Sequence, residues 1–259
     1  MEDRSAFKLV PETGQFMPTR YAASPWIADN CHGGAVAALV AHVIQSESPL
    51  VPMDVARITL DLMRPVPRHS PLTVGSKILR DGKKMQLTEI AVSDREIQVA
   101  RASVLRVPQP QRRLNREGVT SDSWTPPNEG VATYPLPTGF ADLFTIVAVD
   151  GVAERGGSRR LWFRLNDAPV EGSPLTAFQQ AVAAADFTGG MSSALDFSKW
   201  SYPSVDLTVS FHRQPTGAWT FVDARSEMSH DGIAICHASL YDEGGLFGYS
   251  LQTVLIFRR

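Results

Sequence analysis

The chain has 259 residues, which corresponds to one large domain or two small ones. Its 25 basic and 27 acidic residues give a formal net charge of -2, so there is no excess of positive charge to hold a nucleic-acid backbone. Hydrophobic residues make up 43% of the chain, which is enough for a globular core and too much for a disordered protein. We therefore predict a folded protein without a nucleic-acid partner.

The cysteines and the amino-terminal sequence indicate the compartment. Cys31 and Cys236 are far apart, and one possible pair offers neither a zinc ribbon nor a disulfide framework. The first ten residues, MEDRSAFKLV, carry charges where a secretion signal needs an apolar stretch, and no run of 18 apolar residues occurs. We expect a cytoplasmic protein with reduced thiols, no metal, no cofactor and no membrane insertion.

A proline-rich segment divides the chain into two parts. Pro108 to Pro137 contains six of the 18 prolines, together with three arginines and little apolar periodicity. This composition is typical of a connector. We predict an N-terminal domain over 1–107, a connector over 108–140 and a C-terminal domain over 141–259.

Each part contains one alanine-rich helix that is apolar on nearly all sides, as buried helices are. The first is predicted over 33–44, with Asn30 as its N-cap. The second is predicted over 175–187, with Ser173 as its N-cap and Gly189-Gly190 as its stop.

An alternating strand follows each helix, and a turn signal comes 17 or 18 residues after the end of that strand. Asp81-Gly82 and Asp231-Gly232 are these signals, and Asp-Gly pairs favour hairpins. The inward-facing strand positions are Ile58, Leu60 and Leu62 in the first half and Val205, Leu207, Val209 and Phe211 in the second.

A second turn and a closing strand complete each half. The turns are expected around 93–96 and 242–245, and the closing strands over 98–107 and 247–257. One buried helix followed by a meander of long antiparallel strands, occurring twice, predicts an α+β double hotdog, which is two tandem helix-wrapped antiparallel sheets. The alternative is a generic α+β enzyme whose halves match by chance.

The stretch from Ser204 to the end, which begins SVDLTVSFHRQP, resembles the second hotdog domain of acyl-CoA thioesterase II and related thioesterase-like proteins. Supporting segments are PWIADNCHGG at 25–34, LWFRL at 161–165 and VAAADF at 182–187. The resemblance covers the chain except for the connector. It implies hydrolysis of a fatty or other acyl-CoA thioester by carboxylate-activated water, a function in lipid metabolism.

The resemblance also implies a set of catalytic residues. In that family a helix carboxylate, a strand hydroxyl and a glutamine of the last strand position the attacking water. The matching positions here are Asp186, Ser204 and Gln252. Because thioesterase II has threonine at the position of Ser204, Thr208 is a second candidate for the hydroxyl.

The local chemistry of Asp186 and Gln252 agrees with the roles that the resemblance implies for them. Asp186 falls in the last turn of an apolar helix, where the exposed carbonyls disfavour a carboxylate by roughly 0.3 to 1 kcal/mol. The alternative for Asp186 is a cap of the following loop. Gln252 lies in a strand with two largely apolar faces, so its amide needs partners, either a water and a carboxylate or neighbouring backbone.

The helix starts and the first half complete the site prediction. Gly33 and Gly34 open the first helix with unpaired N–H groups, which form an oxyanion and substrate-binding site or only permit close packing. Aligned final strands put Arg101 at the position of Gln252, and the first helix offers His42 but no acid. One active site per chain is therefore expected.

Other readings stay open at this point. The chain has neither the G-x-S-x-G motif of serine hydrolases nor an H-E-x-x-H motif. Neighbouring strand residues such as Cys236 and His237 point to opposite faces, so they do not easily form a thiol nucleophile and its base. His212 and Arg213 are interpreted as fold-stabilising or CoA-phosphate contacts. The alternatives to a thioesterase are an enoyl-CoA hydratase-like hotdog enzyme and a noncatalytic acyl-thioester-binding protein. The carrier is CoA or acyl carrier protein, and exposed sheet edges allow a homo-oligomer.

Overall fold

The computed structural model describes residues 4–109, 124–128, 133–149 and 157–259. Within the connector predicted over 108–140, residues 110–123 and 129–132 lie outside the described residues. The three α-helices in these ranges are α1 (Gly33–Ser46), α2 (Ala177–Ala185) and α3 (Phe187–Ser192). The strands are β1 (Phe7–Val10), β2 (Gln15–Pro18), β3 (Met53–Asp61), β4 (Leu72–Gly82), β5 (Met85–Asp94), β6 (Ile97–Pro108), β7 (Phe144–Ala148), β8 (Ser158–Leu165), β9 (Trp200–Ser201), β10 (Asp206–Phe211), β11 (Thr220–Met228), β12 (Ile233–Asp242), β13 (Gly245–Leu255) and β14 (Phe257–Arg258).

Twelve strands form one antiparallel sheet in the order β1-β2-β4-β5-β6-β3-β10-β13-β12-β11-β8-β7. Its centre is the ladder between β3 and β10, in which Thr59 lies opposite Thr208. On one side of this ladder the order is β6-β5-β4-β2-β1, and on the other it is β13-β12-β11-β8-β7. Each half therefore contributes a meander of strands that runs outward from this ladder, and the two form one continuous sheet. The predicted α+β double hotdog is confirmed.

The two long helices pack against each other in opposite directions. At one end, a Cβ placed on Gly34 of α1 would lie 3.0 Å from the Ala183 carbonyl of α2. At the other end, the Thr176 hydroxyl before α2 donates to Gln45 in the last turn of α1 at 2.9 Å. Both helices are buried in the core cluster that the inward-facing strand residues form. No helix in the described part of the chain has the length and hydropathy needed to cross a membrane.

The predicted hairpins and alternating strands are confirmed. β4 ends at Gly82 and β5 resumes at Met85, while Gly232 takes the positive φ of +81° that the turn between β11 and β12 requires. Leu207 and Val209 of β10 are fully buried, as the alternation predicts.

The helix N-caps differ from the predicted ones, although α1 begins at Gly33 as predicted and α2 begins at Ala177, two residues after the predicted start. The N-cap of α1 is His32 rather than Asn30, and its ring nitrogen faces the helix amides. The N-cap of α2 is Thr176 rather than Ser173, because Thr176 forms a reciprocal capping box with Gln179. The N-cap is therefore the residue whose side chain accepts a hydrogen bond from the first helical amides, and not the asparagine or serine that lies further upstream.

The end of α2 also differs from the prediction. Gly189 and Gly190 do not stop the helix, because α3 continues through both of them after a break at Asp186. A Cβ on Gly189 would lie 2.9 Å from a Val254 methyl and 3.3 Å from the Gln252 side-chain oxygen. Gly189 is thus explained by the close approach of β13.

A buried ion pair holds the loop after β10. Arg213 Nη1 and Nη2 donate to the Asp242 carboxylate at 2.7 and 2.5 Å, and this carboxylate also accepts the Thr216 and Gly244 amides. Burial would raise the pKa of Asp242, but these hydrogen bonds and the Arg213 charge outweigh it and hold the pKa below its ordinary 3.8. Arg213 is accordingly a fold-stabilising residue.

We expect Asp242→Asn to lower the free energy of unfolding at pH 7 by about 2 to 3 kcal/mol. Breaking a buried pair costs about 3 to 5 kcal/mol, and the partly exposed Arg213 reduces this. A depressed carboxyl pKa contributes stability above its unfolded value and loses it as pH falls through the folded value. Urea unfolding should therefore show wild type and variant converging below pH 3.8.

The control for this prediction is Asp61→Asn, which removes an exposed pair with Arg101. This change should cost less than about 1 kcal/mol. An Asp242→Asn deficit that stays constant from neutral pH into acid would contradict the assigned ion pair.

Candidate active site

A cavity of about 730 Å³ lies where α1 begins and α2 ends. Its volume is within the range of small-molecule sites, roughly 300 to 1,000 Å³. The walls come from both halves of the chain and from the segment 134–138 between them. Its aromatic lining residues include Trp26, Phe140, Phe187, Phe197 and Tyr202.

Asp186 is the carboxylate of this cavity and is 6% exposed. Its Oδ1 accepts a hydrogen bond from Gln252 Nε2 at 2.7 Å and a longer one from Ser204 Oγ at 3.4 Å. Its Oδ2 lies 3.0 Å from His32 Nδ1. The structure therefore brings three predicted residues together and adds a histidine from the first half.

Gln252 fixes the carboxylate by direct contact. This side chain is fully buried, and its Nε2 donates to the Asp186 backbone carbonyl at 3.1 Å as well as to Oδ1. Its Oε1 accepts the Gly189 amide at 2.8 Å. The amide is thus satisfied by both backbone and carboxylate, and it ties β13 to the junction of α2 and α3.

Of the two candidate hydroxyls, the structure places only Ser204 at the cavity. Ser204 lies before β10 and forms an isolated bridge with Val254. Thr208 lies in the central ladder, where its hydroxyl donates to Thr59 at 3.2 Å. Thr208 therefore lies outside the cavity lining, and Ser204 remains the candidate hydroxyl. The two-residue alternation does not extend back to Ser204, because the strand starts at Asp206.

His32 is the site residue that sequence patterns did not single out. Its Nδ1 lies 3.0 Å from the Gly34 amide and 3.0 Å from Asp186 Oδ2. Its ring packs against Phe140 and Phe187, with centroids 5.3 and 5.0 Å apart. Nδ1 caps the helix when it carries a lone pair, and it donates to the ionised acid when it carries the proton. The sequence feature that could have identified His32 is its position directly before the two glycines that open α1.

The two glycines of α1 have different surroundings. Gly34 lies between the helices, where a Cβ would meet Phe140 at 2.9 Å, and its amide faces His32. Gly33 lines the cavity, and a Cβ there would lie 2.9 Å from both carboxylate oxygens of Asp186. No acceptor for the Gly33 amide occurs among the residues that the structure describes. Gly34 therefore serves close packing, and Gly33 faces the candidate site.

The pairing registers show which residue of the first half corresponds to Gln252. Thr59 and Thr208 pair with each other, and their outer neighbours are Ser103 and Leu251. One residue further along, Val104 takes the position of Gln252. The predicted correspondence of Arg101 is therefore wrong by three residues, and Arg101 instead pairs with Asp61 on the exposed face.

The first half lacks the acid as well as the amide. Ten residues beyond the N-caps His32 and Thr176 stand His42 and Asp186, respectively. Burial lowers the pKa of His42. With His42 and Val104 at the equivalent positions, the first half has no counterpart of the carboxylate and amide, in agreement with one site per chain.

The cysteines have no features of a nucleophile. Burial raises the pKa of Cys31 to about 12, although Arg68 partly opposes this effect. Burial also raises the pKa of Cys236. A thiolate is the reactive form, so both residues are poor nucleophiles near neutral pH.

Comparison with protein families identifies the family of the chain. Residues 22–107 match the model of the acyl-CoA thioesterase N-terminal domain, and residues 114–256 match that of the acyl-CoA thioesterase C-terminal domain. Together these matches span nearly the whole chain. The protein therefore belongs to the acyl-CoA thioesterase family. No curated protein matches the sequence at a significant level.

Solved structures share the fold at low sequence identity. A conserved protein of unknown function with a hotdog fold from Alicyclobacillus acidocaldarius is 17% identical with a TM-score of 0.73, covering 94% of this chain and 92% of its own. An acyl-CoA thioesterase II from Mycobacterium marinum is 16% identical with a TM-score of 0.67, covering 88% and 89%. A tesB protein from Mycobacterium avium subsp. paratuberculosis is 15% identical with a TM-score of 0.67, covering 94% and 93%.

We expect Gly33→Ala to lower kcat for acyl-CoA hydrolysis on the order of 100-fold, because its methyl group must displace the Asp186 carboxylate. Steady-state thiol release measures this loss. The matched control is Gly190→Ala, which also lines the cavity but has nothing within 4 Å of its new Cβ. Equal kcat values in the two variants would contradict the packing of Gly33 on the carboxylate.

Proposed function

We propose that the protein hydrolyses acyl-CoA thioesters with Asp186 as the general base for an attacking water. The family membership supports the reaction class. The observation that carries the assignment is the buried carboxylate on the cavity wall, held by Gln252 on one oxygen and facing His32 on the other. Gln252, His32 and Ser204 together restrict the rotation of this carboxylate, so its basic oxygen is presented in a defined direction.

In the proposed reaction, Ser204 and Asp186 orient the water together. The water binds beside the Ser204 hydroxyl, and Asp186 accepts one of its protons as the oxygen attacks the thioester carbonyl carbon. The C–S bond of the resulting tetrahedral intermediate then breaks, and the proton held by Asp186 passes to the thiolate sulfur. The products are a free carboxylic acid and the CoA thiol, and Asp186 returns to its ionised form.

His32 and Gly33 have supporting roles in this proposal. In this proposal the Nδ1–H tautomer of His32 donates to Asp186 in place of accepting the Gly34 amide, and it keeps Oδ2 occupied, so the water meets the remaining lone pairs. The first amides of a helix have no acceptor within the helix and lie at its positive end. The Gly33 amide is therefore assigned as the donor that stabilises the developing oxyanion.

The cavity walls support an acyl group of hydrocarbon character. They are mainly apolar, and several aromatic rings pack against each other, including Trp26 with Phe197 and Tyr202 at centroid distances of 4.9 and 4.5 Å. Fatty acyl-CoA esters fit this chemistry. We also propose a role in lipid metabolism and, because both cysteines are free, a cytoplasmic location.

The contact between His32 and Asp186 favours one alternative. Hydration of an enoyl thioester needs a histidine and an acid in one site, and these two residues lie 3.0 Å apart in the cavity. Family membership favours hydrolysis. Incubation with crotonyl-CoA distinguishes the two reactions, because hydration consumes the double bond without releasing thiol.

We expect Asp186→Asn to lower kcat by roughly 100- to 10,000-fold, because the amide cannot accept the proton of water. Thiol release from acyl-CoA esters of graded chain length measures the loss. Asp29→Asn is the control, since Asp29 is an exposed carboxylate outside the cavity lining. Full turnover by the Asp186→Asn variant would remove the assigned base.

A second pair of variants tests the hydroxyl. We expect Ser204→Ala to lower kcat about tenfold or more, because it removes the group that orients the water, whereas Thr208→Ala leaves kcat unchanged because Thr208 bonds to Thr59 in the sheet. The pair is compared in the same thiol-release assay. The opposite order of effects would return Thr208 to the site.

A further inference from the structure

Three aromatic side chains from separate parts of the chain form one wall of the reaction cavity. Trp26 lies in the loop before α1, Phe197 lies between α3 and β9, and Tyr202 directly follows β9. The centroid of the Trp26 ring lies 4.9 Å from that of Phe197 and 4.5 Å from that of Tyr202, and the last two centroids are 6.2 Å apart. We call these three residues the aromatic wall.

The aromatic wall belongs to the enclosed part of the cavity. Tyr202 is 5% exposed and forms a buried cluster with Val254, against which the other two rings pack. Two other lining residues, Ile27 and Met63, are 59% and 54% exposed, so they lie where the cavity opens to solvent. A hydrocarbon chain is stabilised most where it leaves water completely, so an acyl group is bound best at the wall.

The guanidinium group of Arg259 lies over two rings of the aromatic wall. It is 4.3 Å from the centroid of Phe197 and 5.3 Å from the centroid of Trp26. Both distances are within the roughly 6 Å over which a cation is attracted to the face of an aromatic ring. Arg259 thus contacts one wall residue from each half of the chain.

Hydrogen bonds hold Arg259 in this position. Its Nε donates to Ser201 Oγ at 3.2 Å, and its Nη2 forms a longer hydrogen bond to the Pro25 carbonyl at 3.4 Å. Its backbone amide donates to the Lys199 carbonyl at 3.1 Å. Arg259 therefore links the loop before α1 to the segment around β9, the two places that supply the rings of the wall.

The neighbouring Arg258 provides a comparison within the same segment. It lies opposite Trp200 in the pairing of β14 with β9, and its guanidinium group is 5.8 Å from the centroid of that ring. Trp200 does not line the cavity. Substitution of Arg258 therefore removes the same charge and a cation–π contact at a place outside the wall.

We propose that Arg259 is a positioning residue that holds the aromatic wall against the acyl group and thereby makes the enzyme selective for longer acyl chains. This inference rests on the proposed function, because the acyl group is taken to extend from a thioester at Asp186. Each further methylene group that meets the wall removes more apolar surface from water, so the contribution of the wall to binding grows with chain length. A short group such as butanoyl gains little from it.

The main test compares the hydrolysis of butanoyl-CoA and decanoyl-CoA. In Arg259→Gln we expect KM for decanoyl-CoA to rise roughly tenfold, because the wall loses its cation–π contacts and hydrogen bonds. The kcat for both esters and the KM for butanoyl-CoA should stay at their wild-type values, since the three partners of Asp186 lie outside the wall.

Two further variants separate positioning from a general effect on the fold. Arg259→Lys should recover part of the wild-type KM for decanoyl-CoA, because it keeps a cation beside the rings. Arg258→Gln is the matched control and should alter neither KM. Thermal unfolding of each variant checks that the fold is retained.

Two inhibitors locate the effect without turnover. Decanamide is a neutral analogue of the acyl product, and CoA is the other product of the proposed reaction. In Arg259→Gln the inhibition constant of decanamide should rise roughly tenfold, whereas that of CoA should not change.

The outcomes separate this proposal from the proposed function. An equal rise in KM for the two esters, an unchanged KM for both, or an equal wild-type KM for both would overturn the role of Arg259 while leaving the hydrolase intact. A higher inhibition constant for CoA with an unchanged one for decanamide would place the carrier at the wall and would also overturn it. Absence of hydrolysis of every ester by wild type would overturn the proposed function itself.

Discussion

The contact between the start of α1 and the end of α2 is the constraint on which the candidate site depends. Gly34 lets the two helices approach so closely that a Cβ at this position would lie 3.0 Å from the Ala183 carbonyl oxygen and 2.9 Å from Phe140, and this approach brings His32 to the Asp186 carboxylate. A buried carboxylate is costly unless it is hydrogen-bonded, so the amide of Gln252 is needed as much for stability as for chemistry. Loss of the close helix contact would separate the acid from His32, while Gln252 reaches it from β13.

Most of the fold could be predicted from the sequence, because its signals are local and repeated. The period of two in β3 and β10 and the Asp-Gly turns each recur at nearly the same spacing, and the structure confirms them. The helix starts are less accessible, because His32 and Thr176 cap through side-chain geometry that composition does not reveal. The domain boundaries at 107 and 140 stay predictions.

The site residues of the second half could be predicted from the sequence, whereas the residue that the first half contributes could not. Asp186 and Gln252 follow from the family resemblance, and the structure brings them within 2.7 Å. His32 lies far from both in sequence, so only tertiary packing shows that it faces the acid. Thr208 shares a face with Ser204 only if the period of two extends back beyond Asp206, where the strand starts. Arg101 was misplaced because the registers across the sheet are needed to show which residues of the two halves correspond.

The central ladder between β3 and β10 joins the histidine-bearing half to the acid-bearing half. On the proposed mechanism neither half carries the complete set, because Asp186, Ser204 and Gln252 lie in the second half and His32 and Gly33 in the first. Chain breaks within the connector would yield two inert fragments whose reassociation alone restores turnover. Such a split enzyme would report fragment complementation through the thiol it liberates.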